Sequence, residues 1–196
     1  MKILWLGPNR PRLIEYVKSF NDDIFITDKP IYYDSDYVQN ADFLISYGYR
    51  YIIQKAILDL FPKRAINLHI SYLPWNRGAD PNLWSFLEDT SKGVTIHLLD
   101  QGIDTGDILV QKEVQFKNNE TLRTSYEFLT EEIESLFIDN WTKIRSLEIA
   151  AVLQSGAGSY HKTMDRKKYE ILLKNGWDTS VGELIGKGLI YGGTND

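Results

Sequence analysis

Apolar residues enter this chain in short blocks near its start and at helical spacing later, and the change of period divides it. Residues 2–6, K-I-L-W-L, form an uninterrupted apolar strand that stops at Gly7-Pro8. P-R-L-I-E-Y-V-K-S-F at 11–20 then carries helical spacing behind a proline, which suits the first turn of a helix. Further short runs at 24–27 and 43–46, a helix-like 53–61 and a strand at 65–68 continue the alternation. Strands that alternate with helices imply a parallel sheet covered on both faces, a Rossmann-like α/β architecture.

Past a helix near 81–88, K-G-V-T-I-H-L-L-D and D-I-L-V-Q-K-E-V-Q-F flank a short glycine-bounded loop, Gly102–Gly106. Their β-branched alternation reads as two extended strands, and so short a connection makes them antiparallel neighbours. From Thr121 to about Ala151 there is neither glycine nor proline, and Tyr126, Leu129, Ile133, Leu136, Phe137, Trp141 and Ile144 recur at helical spacing. One long helix across the sheet is expected there. The glycines after Gly156 break the composition, and short helices at 165–174 and 180–187 are expected beyond them. The chain thus reads as a catalytic domain over residues 1–151 with a short helical C-terminal extension, 152–196, packed on it.

Composition narrows the chemistry. With 196 residues, 43% of them hydrophobic and 13% aromatic, the chain can bury a full core. A formal charge of −5 and a pI near 5.3 argue against a protein that grips nucleic acid through its phosphates. The sequence has no cysteine, which removes thiolate catalysis and cysteine-bound metal. No run reaches the length of a membrane span, and a soluble cytoplasmic protein acting on a small molecule is expected.

The chemistry-bearing stretch is A-I-N-L-H-I-S-Y-L-P at 65–74. Residues two apart in a strand point the same way, so Asn67 and His69 share one face at a strand end. Ligands of parallel sheets collect at that edge. If the loop carrying Asp104 folds over them, an amide donor, a proton-transfer group and an orienting carboxylate meet, which is equipment for acyl transfer.

N-L-H-I-S-Y-L-P-W-N-R-G and K-G-V-T-I-H-L-L-D-Q-G-I-D-T-G-D-I-L, in this order, resemble the two signature segments of the formyltransferases that use 10-formyltetrahydrofolate. The resemblance covers most of residues 1–120. It implies the formyltransferase fold, a catalytic trio of Asn67, His69 and Asp104, and N10-formyltetrahydrofolate as co-substrate with no metal. S-Y-G-Y-R-Y-I-I at 46–53 resembles the family segment whose backbone lines the pterin pocket, so Tyr49, Arg50, Ile52 and Asp100 are its cofactor candidates. W-N-R-G-A-D-P-N-L-W borders the acceptor pocket by the same resemblance, offering Asn76, Arg77 and Asp80. Asn9 and Arg10, in the turn after the first strand, are candidates for a substrate phosphate. Gly-x-Gly-x-x-Gly is absent from that turn, and an NAD site is not expected.

Moving a formyl group between nitrogens builds a tetrahedral intermediate with a negative oxygen, which the Asn67 amide and a protonated His69 would meet with hydrogen bonds. Asp107 reads as a turn cap, His97 as a structural strand residue and His161 as an exposed loop residue. S-Y-L-P-W-N-R-G-A-D-P-N-L-W-S-F with G-S-Y-H-K-T-x-D looks most like the sugar N-formyltransferases. The chain stops about 90 residues after Gly106, leaving no room for the OB-type domain expected of the transfer-RNA enzyme. The implied reaction is N-formylation of a nucleotide-linked amino sugar, typically a dTDP-linked 4-amino-4,6-dideoxyhexose for lipopolysaccharide O-antigen. The alternatives are a glycinamide ribonucleotide formyltransferase, a formyltetrahydrofolate hydrolase and a non-enzymatic folate or nucleotide-sugar binder. A nucleotide sugar is the expected partner, nucleic acid and membrane are not, and the aromatic tail with the long helix is compatible with a homodimer.

Overall fold

The computed structural model describes residues 1–188, so the end of the expected extension, residues 189–196, lies outside the described residues. Its chain order is β1 (Lys2–Leu6), α1 (Pro11–Lys18), β2 (Asp23–Thr27), α2 (Asp36–Gln39), β3 (Phe43–Ser46), α3 (Lys55–Leu58), β4 (Ala65–His69), β5 (Arg77–Gly78), α4 (Pro81–Leu87), β6 (Lys92–Leu98), β7 (Ile108–Val114), α5 (Leu122–Arg145) and β8 (Tyr160–His161). Three 3₁₀ helices follow, at Thr163–Leu172, Gly176–Asp178 and Val181–Glu183, where short helices are expected at 165–174 and 180–187. Asn175 and Gly176 interrupt that region, and Gly176 adopts φ +56°, which no continuous right-handed helix accepts.

The main sheet runs β2-β1-β3-β4-β6-β7, and a two-stranded sheet pairs β5 with β8. β2, β1, β3 and β4 are parallel. At the far edge the Leu98 N–H donates to Asp107 O, while a Cβ on Gly93 would meet Lys112 O. As one strand climbs the other descends, so β6 and β7 are antiparallel neighbours as expected.

The chain divides into two compact units. The first comprises Met1–His69, Ile96–Val110 and Glu134–Gln154; the second comprises Ile70–Thr95, Gln111–Ile133 and the chain from Ser155. In the first, strand alternation sends Leu4, Leu6, Leu44 and Ala65 to one face, where they bury with Ile31, Val38, Ile57 and Phe61. Ile3, Trp5, Phe43 and Ile45 bury on the other, and there the Phe43 ring meets Trp141 edge-on at 5.1 Å while Phe137 stacks on Trp141 at 5.0 Å. The Tyr16 hydroxyl of α1 donates to Ile138 O of α5 at 2.9 Å. The second unit has its own core of Leu83, Trp84, Phe86, Leu87, Leu122, Tyr169, Val181 and Leu184.

Two helices are shorter than their spacing suggests. The run 53–61 keeps Ile57 and Phe61 buried at i, i+4 but is helical only over Lys55–Leu58, because Pro62 closes the segment. α5 stops at Arg145: Leu147 takes φ +59° and the Glu148 N–H donates back to Lys143 O, a left-handed stop.

Trp141 is 0% exposed between two aromatic neighbours, and Trp141→Ala should cost about 3–5 kcal/mol of unfolding free energy. Denaturant titration followed by circular dichroism checks this; a loss below about 1 kcal/mol contradicts the placement of α5.

Candidate active site

β1, β3 and β4 end together at the carboxyl edge of the parallel strands. The order β2-β1-β3 means the chain leaves β1 on one side and returns on the other, so the crevice beyond β1 and β3 is a topological switch point. Gly7 lies there at φ +127°, where a Cβ would stand 2.0 Å from Tyr47 O, so only glycine permits the two strand ends to approach. Asn9 is exposed in the following turn. The Arg10 guanidinium lies 4.6 Å over the Tyr47 ring, and its buried Nε has no hydrogen-bond partner among the described residues.

The β3–β4 register sets Leu44 beside Ala65 and Ser46 beside Asn67. Asn67 and His69 therefore continue the face that holds Ala65 in the core, and the sequence-derived pair does share one side of its strand. The Leu99 N–H donates to Ala65 O, and two residues along the same face the Asn67 amide meets His97. Asp104, at φ +54°, comes down onto this pair. The Asn67 Nδ2 donates to Asp104 Oδ1 at 3.1 Å and lies 3.3 Å from His97 Nε2. His69 Nδ1 is 3.7 Å from Asp104 Oδ2, and His97 Nε2 is 3.4 Å from Asp104 Oδ1. The side chains of His69, Asp104 and His97 are 8%, 12% and 1% exposed, so these distances act in a largely desolvated place.

His97 departs from the expectation of a merely structural strand residue, because it is the fourth member of this cluster. Its Nδ1 lies 2.8 Å from Leu98 O, a group that only accepts, so Nδ1 carries the proton and Nε2 presents a lone pair. One hydrogen of the Asn67 amide then points to His97 Nε2 and the other to Asp104 Oδ1. The signal that would have found His97 is the strand register: once Ala65 stands opposite Leu99, an antiparallel step of two sets Asn67 opposite His97.

The glycines that bound the aspartate loop work by close approach. A Cβ on Gly106 would lie 1.8 Å from Leu98 O, and one on Gly102 would lie 1.9 Å from Thr105 Oγ1. Asp100, a cofactor candidate, accepts from the Gly102 N–H at 3.0 Å and from Thr105 Oγ1 at 2.7 Å, so its carboxylate organises this loop. The other cofactor candidates lie on the segment after β3. The Tyr49 hydroxyl donates to Lys29 O at 2.8 Å, and burial pushes its pKa up to about 12. Arg50 is exposed and Ile52 is 81% exposed. Among the described residues no hydrogen bond engages the main chain of Tyr51, Ile52 or Ile53, so a run of backbone donors and acceptors is open there.

The remaining acceptor candidates lie in the second unit. Asn76 requires correction as a sugar or phosphate contact: it is 0% exposed, its amide reaches Ser159 Oγ and Glu88 Oε2 at 3.3 Å, and its carbonyl accepts from Thr90 Oγ1 at 2.9 Å. A side chain so engaged ties loops together. Arg77 is half-buried and pairs in β5 with Tyr160 of β8. Asp80 takes φ +53° ahead of α4, with Arg166 Nη1 3.4 Å away. His161 is also not the exposed residue expected: it is 9% exposed, stacks on Trp84 at 3.7 Å and 5°, and sets Nε2 3.1 Å from Glu88 Oε1.

Comparison with known proteins decides the family. Residues 34–140 match the family described as formyl transferase. The chain belongs to that formyl transferase family. The formyltransferase PseJ from Anoxybacillus kamchatkensis, solved with UDP-4,6-dideoxy-4-formamido-L-AltNAc and tetrahydrofolate, is 55% identical with a TM-score of 0.94, over 96% of this chain and 100% of that one. A sugar N-formyltransferase from Shewanella shares the fold at 22% identity and TM-score 0.74, over 86% of this chain and 79% of that chain. Methionyl-tRNA formyltransferase of Clostridium novyi is 33% identical over 144 residues, 73% of this chain and 46% of that protein. The chain spans half or less of the length of the curated formyl transferase relatives it matches.

Burial favours a neutral Glu88 carboxyl, but hydrogen bonds from His161 and Ser159 outweigh it and hold the pKa below its ordinary 4.5. A carboxylate depressed in the folded state stabilises it above the unfolded value, and that contribution is lost as pH falls through the folded one. Unfolding free energy should therefore decline as pH drops below 4.5, and Glu88→Gln should flatten the decline. Equal slopes for the two proteins in denaturant titrations between about pH 6 and pH 3 would contradict the contact.

Proposed function

We propose that this protein transfers a formyl group from 10-formyltetrahydrofolate to the amine of a UDP-linked 4-amino-4,6-dideoxy sugar. The observation that carries the reaction is the convergence of Asn67, His69 and Asp104 at 3.1 and 3.7 Å on the strand edge where parallel sheets bind ligands. The acceptor is supported by PseJ, whose complex holds a 4-formamido UDP-sugar beside tetrahydrofolate and which aligns with 96% of this chain. That support favours uridine over the thymidine nucleotide expected from sequence.

The chain fits a folate co-substrate at the segment after β3. The open main chain of Tyr51–Ile53 offers donors and acceptors to a flat heterocycle, next to the exposed Arg50 and Ile52. When bound, 10-formyltetrahydrofolate supplies the formyl carbon. Asn67 keeps one amide hydrogen on His97, and the other, 3.1 Å from Asp104, is the one that a developing oxyanion takes over. His69 receives the proton that the attacking amine loses and returns one to the leaving nitrogen. Asp104 stabilises the imidazolium between these two transfers. Asn9 and Arg10, in the turn after β1, are the residues offered for nucleotide contacts.

The decisive assay incubates the protein with 10-formyltetrahydrofolate and a panel of amines: UDP- and dTDP-linked 4-amino-4,6-dideoxy sugars, glycinamide ribonucleotide and water alone. Mass spectrometry should show an N-formyl product with the UDP-sugar. Turnover of glycinamide ribonucleotide alone, or release of formate with no amine consumed, sinks the assignment. His69→Ala should abolish transfer with the fold intact, and Asn67→Ala should lower kcat by about 10²–10³-fold. Near wild-type turnover in either variant refutes the mechanism.

A further inference from the structure

Asp104 holds a left-handed backbone conformation, which aspartate visits more readily than most side chains but which still gains from support by its surroundings. Such support comes from a distant part of the chain. After α5 the segment returns to the aspartate loop, where Val152 and Ile108 exchange backbone hydrogen bonds at 2.8 and 2.9 Å. Two residues further on, the Gln154 Nε2 donates to both Asp104 O and Gly106 O, each at 2.8 Å. Val152 and Leu153 are 64% and 78% exposed, so burial does not hold this segment. Its hydrogen bonds to the loop do.

The choice of a glutamine has a chemical reason. Two carbonyl oxygens that converge on one point repel each other, and a neutral –NH₂ supplies one hydrogen to each from a single nitrogen. A lysine there would add a positive charge close to the Asp104 carboxylate, and asparagine is one methylene shorter. The clamp brackets the loop tip: one carbonyl belongs to Asp104 itself and the other to Gly106, whose backbone lies against Leu98 O. Fixing both carbonyls fixes the direction in which the Asp104 side chain leaves the backbone, and with it the distances to Asn67 and His69.

We propose that Gln154 is a positioning residue for formyl transfer, acting through Asp104; this rests on the reaction proposed above. Misplacing a reacting group by about 1 Å costs on the order of 10²-fold in rate. The test compares wild-type protein with Gln154→Ala and with Gln154→Met, which keeps the length of the side chain and removes both donors. Amide hydrogen exchange over residues 102–107 should accelerate about tenfold in both variants while β1 and β3 stay protected. With the UDP-linked amino sugar, kcat should fall by about 10²-fold while KM for both substrates stays within about threefold. Unchanged exchange in the loop, or wild-type kcat in a folded variant, overturns the assignment. A wild-type protein that formylates nothing overturns the reaction instead, and the exchange measurement then decides the clamp alone.

Discussion

The Asp104 carboxylate is the constraint around which the first unit is arranged. At 12% exposure a charge must be met by donors or positive groups, since a buried carboxylate left alone costs several kcal/mol. Asn67 donates to it at 3.1 Å and His69 lies 3.7 Å away, both supplied by the alternation of β4. His97, from β6, takes the other hydrogen of the Asn67 amide at 3.3 Å and so aims that donor at the carboxylate. The loop must then turn tightly, which requires the bare backbones of Gly102 and Gly106 and the left-handed turn at Asp104.

The same arrangement determines what the cluster can do. Asn67 is held between a histidine lone pair and a carboxylate, so its amide is oriented before any ligand arrives. Asp104 is close enough to His69 to stabilise its charged form, yet at 3.7 Å it leaves the imidazole room to exchange protons with a substrate. A formyl transfer from one nitrogen to another needs both properties, because a negative oxygen develops on the formyl carbon while the attacking nitrogen loses a proton and the leaving nitrogen gains one.

Much of this was legible in the sequence because it depends on neighbours along the chain. The strands at 2–6, 43–46 and 65–68, and the shared face of Asn67 and His69, follow from short apolar runs and a period of two. What escaped depends on contacts between distant segments. His97 joins the cluster only through the register of β6 against β4, which no local pattern encodes. Asn76 looks like a surface residue in a polar loop, yet Glu88, Thr90 and Ser159 enclose it. Gln154 sits in an unremarkable stretch after a helix, and its meaning depends on Val152 pairing with Ile108. Helix ends at Leu58 and Arg145 fell short of the apolar spacing, because Pro62 and the left-handed Leu147 stop each segment.

In the proposed reaction one carboxylate, poised between Asn67 and His69, makes the site catalytic. The measurement that tests it most directly is the single-turnover rate of formyl transfer in Asp104→Asn, a change that keeps the shape of the side chain and removes its charge. The rate should fall by about 10²–10⁴-fold, with tetrahydrofolate binding unchanged by calorimetry. A single-turnover rate within about twofold of wild type would show that transfer does not depend on the Asp104 charge.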